Sequence, residues 1–158
     1  MIKIATIAAA LLMGTAATAM AQEISGNWSV NSANGACWAS TGAEETEGNT
    51  NGRGAAIASI QNFPSENVRG SIAFTNGGVE SSQHKAEVSV DGKKFPTLTY
   101  KEAAFVGSGK NEAELTDAMR RGRLLEVTWT SKDGEKVTDR FSLAGFSAAK
   151  NTIDQDCR

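Results

Sequence analysis

Residues 124–143 read LLEVTWTSKDGEKVTDRFSL, and the fold class follows from how they alternate. Apolar and polar side chains take turns through Leu124 to Thr130 and again through Val137 to Leu143. That period of two belongs to half-buried strands. Asp133-Gly134 lies between the two runs, inside Lys132 to Lys136, and supplies turn chemistry, because glycine accepts the positive φ a hairpin demands. Trp129 has polar neighbours on both sides, as an inward-facing position should.

The same pattern extends outward. Strands are expected at Asn27 to Val30, Cys37 to Ser40, Ala55 to Ile60, Val68 to Phe74, Ala86 to Val90 and Lys94 to Tyr100, with Asp91-Gly92 forming a second tight hairpin. One helix interrupts them. Asn111 can cap it with Glu114 three residues on, Leu115, Ala118 and Met119 share a face, and Arg120, Arg121 and Gly122 suit its end. A short helical turn after Gly145 would point Phe146, Ala149 and Ile153 inward. Thr41 to Gly54 (TGAEETEGNTNGRG) and Val106 to Lys110 read as loops. Eight strands with one or two small helices make an all-β domain, a β-sandwich or a partly closed barrel.

The first 21 residues differ from the rest. Lys3, the apolar run Ile4 to Met13 and Ala19-Met20-Ala21 have the layout of a secretory signal peptide cleaved before Gln22. The run is shorter than the ~20 residues that span a bilayer, so no transmembrane anchor is expected. Of the 158 residues, 137 then remain as one domain, 22–158, with 18 acidic residues against 15 basic once Lys3 is gone. Only 24 of the 137 are Leu, Ile, Val or Phe, which implies a thin core. No basic stripe suits nucleic acid. The two cysteines, Cys37 and Cys157, read as one disulfide in an oxidising compartment. A redox pair would sit closer in sequence. The bridge would close a loop of about 120 residues, worth roughly 4–5 kcal/mol of chain entropy. Trp28 and Trp129 are expected in the core, whereas Trp38 could serve either the core or a surface platform.

The carboxyl-terminal run Asp139-Arg140-Phe141-Ser142-Leu143-Ala144-Gly145-Phe146-Ser147-Ala148-Ala149 closely resembles the F-S-L-x-G-F-[ST]-A-A signature of the invasion-associated locus B family of small exported bacterial proteins. Trp28-Ser29-Val30 with Cys37-Trp38-Ala39 resembles its opening segment, Gly70 to Phe74 its second strand block, and Ala118 to Gly122 its helix end. The terminal Cys157 agrees with its shorter members, while longer relatives carry additional cysteines and a different middle region. The resemblance covers nearly all of 22–158 and implies a periplasmic or surface-associated β-sandwich, with no established biochemical activity. Physically the signature is a folding device. Phe141, Leu143 and Gly145 alternate inward, Ser142 lies between the first two, Gly145 turns the chain, Phe146 seats the next turn, and Ala148 and Ala149 allow close backbone approach.

Chemistry finds little to use. His84 is the one histidine, in the polar stretch Ser81 to Lys85, and is expected to be an exposed loop residue rather than a base. Glu44, Glu45 and Glu47 lack the spacing of a calcium loop and read as solvated. Of Arg120, Arg121 and Arg123, two are explained by the helix end. The expectation is a non-enzymatic exported domain, with no cofactor, metal or catalytic residue. It would bind an envelope or host protein through loops such as Thr41 to Gly54. A host-directed virulence factor and an unrecognised hydrolase are the alternatives.

Overall fold

A computed structural model describes residues 22–23, 27–78, 85–107, 109–131 and 133–158. The expected leader, 1–21, and His84 lie outside the described residues. Twelve strands occur among those that are described: β1 (Gln22–Glu23), β2 (Ser29–Ala33), β3 (Ala36–Gly42), β4 (Glu45–Glu47), β5 (Ile57–Phe63), β6 (Val68–Thr75), β7 (Lys85–Val90), β8 (Lys93–Phe95), β9 (Thr97–Tyr100), β10 (Ala103–Val106), β11 (Leu124–Thr130) and β12 (Lys136–Ser142). The helices are α1 (Lys110–Arg121) and α2 (Phe146–Asp156). The strands form two antiparallel sheets, ordered β1-β2-β3-β5-β6-β10-β9 and β4-β12-β11-β7-β8. The sandwich expectation holds.

Each sheet turns its alternating apolar residues toward the other. The first contributes Val30, Ala39, Ala58, Ile60, Ile72 and Phe74, the second Val88, Leu125, Val127, Trp129 and Phe141, all buried. Leu115 and Met119 of α1, with Phe146, Ala149 and Ile153 of α2, join the same core. Trp28 is buried edge-on against Phe146, with ring centroids 4.9 Å apart, and its Nε1 donates to Ser142 O at 3.0 Å. Alanine fills much of the remaining interior, which explains how so few large aliphatic residues suffice. Trp38 is half-buried.

Both expected hairpins form. Asp91 and Gly92, at φ 46° and 83°, turn β7 into β8. A loop around Asp133-Gly134 joins β11 to β12, closed by Ser131 N–H donating to Glu135 O at 2.8 Å. Four expectations need correction. The single strand Lys94 to Tyr100 is two strands, because Pro96 has no N–H for the ladder and the chain changes sheets there. Ala103–Val106, partly read as loop, is a strand that returns from β9 onto β6. Asn111 does not cap α1: the helix starts one residue before it, with Gly109 at the cap and no side-chain capping bond. Gly145 is not an inward strand position. At φ 88° it ends the strand and opens α2, and Ala148 is exposed, so Ala149 alone provides the close approach.

A candidate binding pocket at the loop end

The segment expected to be a free loop, Thr41 to Gly54, is instead built into the fold. Thr41 and Gly42 complete β3, and Glu45–Glu47 forms an edge strand on β12 in the second sheet. The chain thereby ties one sheet to the other. Its alternation explains the docking. Thr46 faces Asp139 in register, and its Oγ1 donates to Asp139 Oδ1 at 2.8 Å. Glu45 and Glu47 instead receive Arg140, at 3.3 and 2.9 Å, and Arg140 Nε reaches Glu126 at 3.0 Å. Glu44 accepts a hydrogen bond from the Asn27 amide. These glutamates are therefore not merely solvated. The hydrogen bonds to Glu47 and Glu126 hold the Arg140 pKa above its ordinary value.

Asp139 is fully buried, and it is the residue around which this end of the molecule is organised. Arg53 Nη2 donates to Oδ2 at 2.7 Å and Nη1 to Oδ1 at 3.3 Å. Trp129 Nε1 also donates to Oδ2, at 3.0 Å. The third arm of Arg53, Nε, donates to Asn76 O at 2.6 Å, and its side chain is 7 % exposed. A carboxylate removed from water is tolerable only when opposite charge and donors replace its hydration. Here both are present. The loop is pressed close: Gly54 N–H donates to Gly77 O at 2.8 Å, and a Cβ on Gly77 would run into Gly54 O.

Beside this pair lies a pocket of about 190 Å³, lined by Asn49, Asn51, Arg53, Asn76, Trp129, Ser131, Glu135 and Val137. It has apolar surface from Trp129 and Val137 and polar groups from the amides and Ser131. Its guanidinium is already committed to Asp139 and Asn76 O. Asp139 and Arg53 were not singled out from the sequence. Asp139 did leave a signal, because it occupies the inward phase between Val137 and Phe141. Arg53, in a glycine- and asparagine-rich stretch, left none.

The signature residues gather elsewhere. Phe141, Leu143, Phe146 and Ala149 are buried where α2 packs on β2, β3 and β5, with Ser142 half-buried at the strand end. The Cys37–Cys157 disulfide pins the far end of that helix, with Cα atoms 5.9 Å apart. Between them runs a polar seam absent from the sequence reading. Buried Asn62 accepts from Gly70 N–H at 2.8 Å and donates to Ile153 O and Asp154 Oδ1. Lys150 pairs with Asp154, and Arg69 Nη1 donates to Cys157 O at 3.0 Å. Arg120 crosses from α1 to Asn151 Oδ1 at 3.0 Å.

A family model described as invasion associated locus B (IalB) protein matches residues 27–154. The chain belongs to the invasion associated locus B family. No curated protein and no solved structure matches it. The locus B match takes in every residue that lines the pocket, the Arg53–Asp139 pair and most of α2. Among the described residues of this locus B protein, no helix is long and apolar enough to cross a membrane.

Proposed function

We propose that this locus B protein is an exported, non-enzymatic binding or accessory domain of the bacterial cell envelope, acting through the pocket at its loop end. The observation that carries this reading is the saturation of Arg53 and Asp139 by each other and by Thr46, Trp129 and Asn76. Groups so bonded shape a surface and are poor proton donors or acceptors for a reaction. A pocket of about 190 Å³ is smaller than the ~300–1,000 Å³ of sites for whole small molecules. It suits a side chain or a single substituent of a larger envelope component. The leader pattern and a disulfide closing most of the domain support passage into an oxidising compartment.

Two measurements test the reading. Cell fractionation should recover the protein outside the cytosol with Gln22 at its amino terminus, and cytosolic protein retaining Met1 would refute export. In a titration of the isotope-labelled protein with solubilised envelope fragments, amide shifts should cluster at Asn51, Arg53 and Ser131, and Val137→Trp, which fills the pocket, should abolish them. Chemical conversion of those fragments by the wild type would refute a purely binding role.

A further inference from the structure

Two walls of the loop-end pocket are the chain that follows β4 and the β11–β12 hairpin. Gly48 brings them together, so closely that a Cβ there would meet Lys136 O at 2.5 Å. Each wall is also fixed from within. Asn51 N–H donates to Asn49 Oδ1 at 3.0 Å, and Arg53 N–H donates to Thr50 O at 3.1 Å. In the hairpin, Glu135 N–H donates to Ser131 Oγ at 3.0 Å. A ligand therefore meets groups already in place, and little ordering is charged against its affinity.

The charges at this site narrow what can enter. Arg53 is committed to Asp139 and to Asn76 O, so the lining offers an anion no unpaired cation. An ammonium group fares no better. It would lie near the Arg53 guanidinium, and its partner would be Glu135, an exposed carboxylate that water screens. The favoured occupant is neutral and polar.

The hydrogen-bonding groups narrow it further. Asn49 keeps its NH2 to donate, and the exposed Asn51 amide donates and accepts from one plane. Ser131 has accepted from Glu135 N–H and keeps its proton to donate, whereas the Glu135 carboxylate only accepts. Hydroxyl groups on adjacent carbons satisfy such a mixture, because each one both donates and accepts. Val137 and the buried Trp129 add apolar surface for C–H groups.

We propose that this pocket takes a saccharide, one neutral sugar ring of a larger envelope glycan. The inference rests on the binding reading above and adds the chemical class of the ligand. At about 190 Å³ the pocket has room for a single ring, so the rest of the glycan stays in solvent beyond the exposed Asn49 and Asn51.

The isotope-labelled protein is titrated with the methyl glycosides of glucose, galactose, mannose and N-acetylglucosamine, beside glucuronate and glucosamine. At least one neutral glycoside should shift the Asn51 and Ser131 amides, with a dissociation constant on the order of millimolar. Glucuronate should bind at least about tenfold more weakly, because it meets Glu135 and no free cation. Asn51→Ala should weaken the neutral glycoside by about three- to tenfold. Glu135→Gln, which removes a charge-assisted bond, should weaken it by about tenfold. Both side chains are exposed, so the thermal midpoints should stay at the wild-type value. Envelope fragments that shift these amides and are displaced by no neutral glycoside would overturn the sugar and leave the binding reading standing. Better displacement by glucuronate, glucosamine or a lysine-containing peptide would do the same. A protein that responds to neither fragments nor glycosides would overturn both.

Discussion

Arg53 and Asp139 show what one ion pair can do when water is excluded from it. Taking away the guanidinium leaves a fully buried carboxylate with only Thr46 and Trp129 as donors. Arg53→Met should therefore lower the unfolding free energy by about 3–5 kcal/mol, read from urea denaturation. Arg140→Met should move the urea midpoint much less than Arg53→Met, because water can replace the guanidinium at Glu45 and Glu47, about 70 % exposed, and only Glu126, 29 % exposed, loses a half-buried partner. Two further carboxyls tie stability to pH. Burial works against ionisation of Asp154, but the hydrogen bonds from Lys150 and Asn62 and the charges of Lys150 and Arg120 together outweigh it, and its pKa is lowered. The folded state then holds its proton less tightly than the unfolded chain. The resulting stability is present above the ordinary value of 3.8 and is lost as the pH falls through the lower folded value. Glu112 runs the other way. Burial raises its pKa against the opposing bond from Ile72 N–H, so its penalty is relieved as the pH falls through the raised value toward 4.5. Urea midpoints measured against pH should show Asp154→Asn flattening the acid limb below 3.8 and Glu112→Gln steepening the fall just above 4.5.

At the scale of elements, α2 is the piece whose attachment most needs explaining. Its apolar face is small, with Phe146, Ala149 and Ile153 buried, and it lies outside both sheets. The Asn62 amide supplies what is missing. It sits where the β5–β6 register shifts, between Gln61 and Asn62, and satisfies both a strand N–H and a helix carbonyl. Asn62→Ala orphans the buried Gly70 N–H and should cost about 1–3 kcal/mol. Hydrogen exchange should quicken first in α2 rather than in β11 and β12. Pro96 acts by the opposite means. By withholding a donor it releases the chain from the second sheet and lets β9 become the edge of the first.

Across the whole molecule, the disulfide spans 120 residues and fastens the last turn of α2 to β3. Replacing both cysteines by serine should cost about 4–5 kcal/mol, a large share of the ~5–15 kcal/mol that holds an ordinary domain folded. For a chain of this length the melting midpoint should drop by about 10 °C or more in calorimetry. Retention of the wild-type midpoint by the double variant would show that the thin core and the Asn62 seam suffice.

Alternation, turn residues and the helical spacing of Phe146, Ala149 and Ile153 were enough to specify an all-β domain, a sandwich or a partly closed barrel, with one or two helices, because those signals reside in neighbours along the chain and report directly on which face is buried. That the two sheets stay open as a sandwich was decided by the tertiary structure. The cysteine count specified the bridge for a similar reason, since two thiols allow one pairing. The strand hidden in Thr41 to Gly54, the sheet switch at Pro96 and the pocket were decided only by tertiary structure. Glu45–Glu47 becomes a strand because β12 offers it Arg140 and Asp139, and Arg53 gains its role from a carboxylate 86 residues away. A charge at an inward position announces that it needs a partner. Which partner comes is settled by how the two sheets close.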